Sequence, residues 1–160
     1  MTAPARPTAA QARRMRSAAR FYAVQALFQM EAADADLEAV IDEFETLRIG
    51  AEIDGARYAE PDLVHFRAVL TAAVTRQAKI DQLTQAALVA RWPIDRIDPT
   101  LRAVFRAAGA ELVATDTPPK VTITEYVDVA KAFYPDGKEA KFVNGVLDHM
   151  ARSAQPQGFA

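Results

Sequence analysis

Residues 98–112 read DPTLRAVFRAAGAEL, and this stretch carries a strong helix signal. Asp98 followed by Pro99 is typical of a helix start, because the carboxylate accepts a hydrogen bond from a free backbone amide and proline fits the first helical position. Apolar side chains then recur three and four residues apart, which places them on one helical face. They are Leu101, Val104, Phe105, Ala108 and Leu112. The stretch therefore predicts an amphipathic helix.

The same apolar spacing recurs along most of the chain and predicts about seven helices. The first runs from Arg13 to about Ala32, and the others cover residues 37–47, 61–74, 80–88, 98–112, 122–134 and 142–150, with Pro61 at the first position of the third. No segment alternates apolar and polar residues as a half-buried strand does. We therefore predict an all-α fold without a sheet, in which short connections join the helices.

Proline, glycine and small polar residues predict where the ordered domain begins and ends. Residues 1–12 are rich in alanine and proline and are expected to form a disordered leader. Residues 13–153 form one domain, and residues 154–160 are expected to be a loose tail. Inside the domain, residues 48–60 contain two glycines and predict a loop. The sequence Thr122-Ile-Thr-Glu125 fits a capping box and predicts a helix start.

Composition excludes several classes of protein. The chain has 160 residues, 51% of them hydrophobic, which is enough for one ordinary domain with its own core. It has no cysteine, so a disulfide framework, a thiolate nucleophile and a cysteine-ligated metal are excluded. No apolar run approaches the roughly 20 residues of a membrane span, and no secretory signal begins the chain. We expect a soluble, cytoplasmic protein that has no contact with membranes.

Catalytic and cofactor motifs are equally scarce. The only histidines, His65 and His149, fall in separate predicted helices, and the six glycines never take the spacing of a phosphate-binding loop. A packed or half-exposed side chain is the simplest interpretation of His65. We therefore predict that the chain is not an enzyme and holds no metal or cofactor.

Charge is distributed unevenly, although the formal net charge is only −2. Residues 1–30 carry five arginines and no acid, whereas residues 31–62 carry eleven acids and two arginines. A partner molecule senses the local field within a Debye length, so the net charge does not exclude nucleic acid. Such a chain is suited to bind RNA at its basic end and a basic protein at its acidic part.

The basic end carries four arginines within two turns of the first predicted helix. Arg16 and Arg20 are four residues apart and share a helical face, with Arg13 one turn earlier and Arg14 beside it. Guanidinium groups bind phosphate bidentately and stack on bases. The residues alone leave two interpretations open: a phosphate-binding surface or a solubilising basic tail.

A second candidate is the segment KFVNGVLD at residues 141–148. Lys141, Phe142 and Asn144 are residue types that contact phosphate, stack on an unpaired base and read a base edge. Gly145 lies within the predicted helix, where glycine is unfavourable unless something approaches closely. The residues alone slightly favour a packing interpretation, with Phe142 in the core and Gly145 at a helix crossing.

Several motifs together resemble the NusB family of transcription antitermination factors. They are RSAAR (16–20) followed by AVQALF (23–28), IDPTLR (97–102), PPKV (118–121), TEYV (124–127) and KFVNGVLD (141–148). The resemblance covers residues 13–152, and the last motif at its distance from PPKV is the most specific. One departure is Gly137-Lys-Glu-Ala140, where many members have an acidic residue, serine and histidine before KFVNG. Lys138 offers a cation there instead.

This resemblance implies a non-enzymatic protein of two packed helical bundles. It implies binding to single-stranded boxA RNA together with the ribosomal protein NusE, within the antitermination complex of RNA polymerase, notably in ribosomal RNA operons. By the same likeness, an RNA-binding site is expected to include eight residues. They are Arg13, Arg14, Arg16, Arg20, Phe28, Lys141, Phe142 and Asn144.

Two alternatives use the same fold differently. NusB-like domains also precede ribosomal RNA cytosine methyltransferases, but that role requires a following methyl-donor domain, and none follows in these 160 residues. The other alternative is a protein-interaction module that never meets RNA and whose arginines serve solubility. Binding to NusE alone would distinguish it from an RNA-binding factor.

Overall fold

The computed structural model describes residues 6–49, 52–53, 56–57, 60–88 and 93–159, and these residues are mainly helical. Seven α-helices lie within them: α1 (Ala9–Ala33), α2 (Leu37–Glu43), α3 (Leu63–Thr75), α4 (Gln77–Ala87), α5 (Pro99–Ala114), α6 (Pro119–Phe133) and α7 (Lys138–Ala154). A π-helical turn, Phe44–Arg48, follows α2, and 3₁₀ turns occupy Ile94–Arg96 and Pro156–Phe159. The predicted all-α class is confirmed. None of the described helices is long and apolar enough to cross a membrane.

One short ladder interrupts this helical pattern in the predicted loop 48–60. Strand β1 (Glu52–Ile53) pairs antiparallel with β2 (Ala56–Arg57), Glu52 opposite Arg57. The expectation of a fold without any sheet is corrected at this point. Two residues per strand are too few to produce the alternation that identifies a strand in sequence.

Helix α5 is central to the packing. It contacts α1 and α3, which also pack on each other, and it contacts α4, α6 and α7, of which α7 packs on the other two. These two groups of helices are the two bundles, and both include α5. Its buried positions include several alanines, which let neighbouring helices approach closely. At Gly109 the approach is closest, because a Cβ atom there would lie 2.4 Å from Cγ2 of Ile80 on α4.

The predicted start of α5 is confirmed, whereas α1 begins earlier than expected. Oδ1 of Asp98 accepts a hydrogen bond from the Thr100 amide at 2.8 Å, with Pro99 at the first helical position. Helix α1 starts at Ala9 instead of Arg13, because Thr8 and Gln11 form a capping box with bonds of 2.8 and 3.1 Å. Residues 9–12 of the expected disordered leader are therefore helical, and residues 1–5 lie outside the described residues.

The capping box predicted at Thr122 and Glu125 is wrong. Helix α6 begins three residues earlier, at Pro119, and Thr122 is a buried residue inside it. Glu125 does not reach back to the helix start, because its carboxylate accepts hydrogen bonds from Ser17 on α1.

The expected loose tail is packed against the domain in its described part. The Phe159 ring lies 4.4 Å from the Arg152 guanidinium and 5.9 Å from the Lys120 ammonium. Nε2 of Gln155 donates a hydrogen bond to the Leu112 carbonyl at 2.5 Å. An aromatic ring between two cations orders the tail, which its composition did not indicate.

Candidate nucleic-acid interface

The N-terminal turns of α1 present a basic surface beside α6. Arg13 and Arg14 are exposed, and both line a groove of about 600 Å³ between the two helices, with Lys120 of α6 on the opposite wall. Ser17 fixes the base of this groove, since its hydroxyl donates to both carboxylate oxygens of Glu125 at 2.9 Å. The groove can hold a phosphate backbone against three cations.

Arg16 lies one turn further along α1 and is partly buried. Within the described residues it forms no ion pair, so its guanidinium keeps its donors for a ligand. Met15 beside it anchors the chain before α3, because its carbonyl accepts from the Asp62 amide at 2.9 Å. Arg16 therefore remains a candidate for RNA contact.

Arg20 is not part of this surface, and the expectation that it contacts RNA is wrong. Its side chain is only 2% exposed. Nε and Nη2 donate to Glu111 of α5 at 2.8 and 3.0 Å, and Nη1 lies 3.0 Å from Oε1 of Glu125. Arg16 and Arg20 are one helical turn apart, as predicted. At Arg20, however, the side chain points into the core, where its guanidinium pairs with two carboxylates.

Glu111 collects groups from several helices at the centre of the domain. Besides Arg20, it accepts hydrogen bonds from the hydroxyls of Thr117 and Tyr126, and Nε2 of His65 lies 3.0 Å away. Burial alone would raise the pKa of Glu111, but the adjacent His65 and Arg20 side chains outweigh it and lower this pKa from 4.5 to about 2. The pKa of Tyr126 is raised by its burial and by the adjacent Glu111 carboxylate. His65 is thus a packed core residue, as its simplest interpretation predicted.

Phe28 lies exposed near the other end of α1. Its side chain is 41% exposed, although it is large and apolar. It lines a cleft of about 390 Å³ together with Phe133 and Thr100. Phe133 is held in place by stacking on Phe21, with ring centroids 5.2 Å apart. The cleft offers two aromatic rings to a base.

The three predicted site residues on α7 differ in their exposure to solvent. Lys141 and Asn144 are exposed, whereas Phe142 is half-buried and packs edge to face on Phe105, with centroids 5.9 Å apart. A Cβ atom at Gly145 would meet nothing within 4 Å, so the predicted helix crossing at this glycine is wrong. Phe142 also lines a second cleft, of about 450 Å³.

The first turn of α5 brings the two aromatic clefts together. Thr100 lines the Phe28 cleft, and its neighbour Leu101 lines the Phe142 cleft. Close to this turn, partial burial together with the Asp98 carboxylate raises the pKa of Tyr134 to about 12. The basic groove lies at the opposite end of α1, about 20 Å from Phe28 at 1.5 Å per residue.

Three cations of this surface were not identified as site residues from the sequence. Lys120 borders the basic groove, while Arg96 and Lys138 border the Phe142 cleft. A single lysine or arginine forms no recognisable sequence motif, and whether it lies at this surface depends on how α5, α6 and α7 pack. Only Lys138 stood out, because it departs from the family pattern.

The NusB family model matches residues 17–152. The chain belongs to the NusB family. The transcription antitermination protein NusB of Mesorhizobium japonicum is 46% identical over 144 residues, covering 89% of this chain and 92% of that protein. NusB of T. maritima matches in structure with a TM-score of 0.69 and 31% identity, over 89% of this chain and 95% of that one. This membership confirms the resemblance and the expectation of a non-enzymatic protein.

A further NusB-fold structure extends the comparison. The antitermination factors NusB and NusE in complex with double-stranded RNA include a chain that matches with a TM-score of 0.68 over 86% of this chain and 96% of that one. Its 24% identity shows a shared fold. The segment Gly137-Lys-Glu-Ala140, which departs from the NusB pattern, forms the start of α7. Gly137 is the residue before this helix and has a φ of +83°, and no side chain caps the helix start.

Proposed function

We propose that this chain is a transcription antitermination factor that binds boxA RNA together with NusE and promotes read-through by RNA polymerase, notably in ribosomal RNA operons. The observation that carries the proposal is that this NusB-family fold has exposed arginines at the start of α1 and two aromatic clefts whose lining residues are neighbours in the first turn of α5. The protein would act in the cytoplasm, within the antitermination complex.

The proposed RNA-binding residues divide by chemistry. Arg13, Arg14 and Arg16 neutralise phosphates at the start of α1, and Lys141 does so on α7. The exposed ring of Phe28 and the free face of Phe142 stack on unpaired bases, which is the usual mode of single-strand recognition. Asn144 is exposed on α7 and is suited to read a base edge. Arg20 supports this surface from below by joining α1 to α5 and α6.

NusE is proposed as the protein partner on two grounds. A NusB-fold protein has been solved in complex with NusE and RNA. In this chain, residues 31–62 carry eleven acids, among them the exposed Asp34, Asp36 and Glu38. An acidic surface steers a basic ribosomal protein and suppresses acidic competitors.

The test compares boxA RNA with a scrambled RNA of equal length, each with and without NusE, at several salt concentrations. We expect tighter binding of boxA that strengthens with NusE. If the three α1 arginines neutralise three phosphates, they contribute about −2 to the log–log salt slope, at roughly 0.7 per phosphate on single strands. The double variant R13A/R14A should lose about two thirds of that contribution, whereas Arg76→Ala, an exposed arginine between α3 and α4, should leave the slope unchanged.

Two outcomes would contradict the proposal. Equal binding of both RNAs, unaffected by NusE, would refute boxA recognition. Binding of NusE without any binding of RNA would identify a protein-interaction module instead. Since R13A/R14A changes only exposed side chains, its circular dichroism spectrum should match that of the wild-type protein.

A further inference from the structure

The Phe142 cleft has the dimensions and walls of a base-binding site. Its volume of about 450 Å³ falls within the roughly 300–1,000 Å³ of small-molecule sites. Ile97 and Leu101 form apolar walls beside the Phe142 ring. Phe105 packs edge to face against that ring, with centroids 5.9 Å apart, and so restricts its motion beside the cleft.

A carboxylate without a hydrogen-bond donor borders the same cleft. Glu139 is the second residue of α7, and its Oε2 atom is buried but accepts no hydrogen bond from the described residues. Such an oxygen is unfavourable, because it has lost water without gaining a donor. The terminal torsion of glutamate is broad, so a small rotation can turn this oxygen toward a ligand that carries N–H groups. The other carboxylate of the cleft, Asp98, already accepts a hydrogen bond from the Thr100 amide.

Two cations keep this site compatible with RNA despite the carboxylate. Arg96 and Lys138 are both exposed at the cleft and form no ion pair within the described residues. They can hold the phosphates on either side of an inserted nucleotide, as arginine and lysine do in single-strand sites. Glu139 is then free to contact the base itself.

We propose that Glu139 determines the specificity of this cleft by selecting a guanine base that stacks on Phe142. The inference rests on the proposed RNA-binding function. Among the four bases, only guanine places two N–H donors side by side, at N1 and N2, and these match the two oxygens of a carboxylate. Adenine and cytosine each pair one amino donor with a neighbouring ring acceptor. Uracil flanks its single N–H with two carbonyls, which a carboxylate repels.

The experiment uses the full chain and five fluorescently labelled oligouridine nonamers that differ only at the central nucleotide, measured by anisotropy. The centre is guanosine, inosine, adenosine, cytidine or uridine. We expect guanosine to be bound about tenfold more tightly than uridine, within the range for one bidentate base contact. Inosine, which lacks the N2 amino group, should fall between them.

Two carboxamide variants separate recognition from general effects of charge. Glu139→Gln should reduce the guanosine preference to within about twofold, while its affinity for the uridine nonamer does not fall. Asp116→Asn makes the equivalent carboxylate-to-carboxamide change at an exposed site between α5 and α6 and should keep the full preference. A merely structural role for Glu139 would instead lower the affinity for all five RNAs together.

The outcomes distinguish this inference from the proposed function. A wild-type protein that binds boxA RNA with NusE but shows no guanosine preference, or prefers adenosine or cytidine, overturns the role of Glu139 alone. A guanosine preference that survives in Glu139→Gln overturns it as well. Failure to bind boxA RNA under any condition would refute the proposed function.

Discussion

Replacing Arg20 with methionine tests whether this arginine stabilises the core. Methionine keeps much of the side-chain length but removes the donors to Glu111 and Glu125. The buried Glu111 carboxylate would then lose its only arginine partner within the described residues. We expect a large loss of stability and little specific change in RNA contacts.

The magnitude follows from the pKa of Glu111. This pKa lies at about 2 instead of 4.5, and one pKa unit corresponds to about 1.4 kcal/mol, so the surrounding groups stabilise the charged form by about 3 kcal/mol. Removing one partner of a buried ion pair typically costs about 3–5 kcal/mol. We therefore expect Arg20→Met to lower the free energy of unfolding by about 3 kcal/mol, or Tm by roughly 6–12 °C.

Urea unfolding followed by circular dichroism measures this loss, with Arg14→Ala as the matched control. Arg14 is exposed and unpaired within the described residues, so its removal should change stability by less than about 0.5 kcal/mol. The double variant R20M/E111Q should lose less than the two single variants combined, because it leaves no unpaired buried charge. An Arg20→Met protein within about 1 kcal/mol of wild type would refute the role of this ion pair.

Three further predictions concern stability. The folded-state pKa of Glu111 is lowered, so the carboxylate stabilises the folded protein above pH 4.5 and this stabilisation is lost as the pH falls toward 2. Glu111→Gln should therefore make the free energy of unfolding less dependent on pH in that window, and an unchanged pH profile would contradict this. Gly145→Ala should raise the free energy of unfolding by about 0.5–1 kcal/mol, because the helix gains a methyl group in open space; urea titration would refute this if no gain appears. Gly109→Ala should destabilise by about 1–3 kcal/mol, since its Cβ would clash with Cγ2 of Ile80; in an Ile80→Ala background, which lacks that methyl group, thermal melts should show a smaller added loss.

Sequence reasoning succeeded where the deciding signal is local. Asp98 and Pro99 start α5 as predicted, because the cap and the first helical position are neighbours in the chain. The Thr8–Gln11 capping box is an equally local signal, and applying the same rule there would have placed the start of α1 correctly. At Thr122 the same rule failed, because the earlier proline starts α6 and the glutamate has a distant partner.

The candidate site was predictable only in part, since exposure depends on tertiary packing. Arg13, Arg14 and Arg20 are equivalent in sequence, yet Glu111 lies 91 residues beyond Arg20 and turns that arginine into a core residue. Similarly, the unpartnered oxygen of Glu139 becomes visible only once α7 has packed beside the start of α5. No local pattern reports either arrangement.

The convergence of α1, α3, α5 and α6 on one carboxylate has a consequence for how the domain opens. If either bundle separated from the rest, the Glu111 carboxylate would lose some of its hydrogen-bonding and charged partners while it remained shielded from water. Partial opening of the domain is therefore strongly disfavoured. Amide protons in α1, α3 and α6 should then exchange with deuterium through one shared global event. The first helix, although it carries the proposed RNA contacts at its margin, would be as slow to exchange at its middle as the helix at the centre of the molecule.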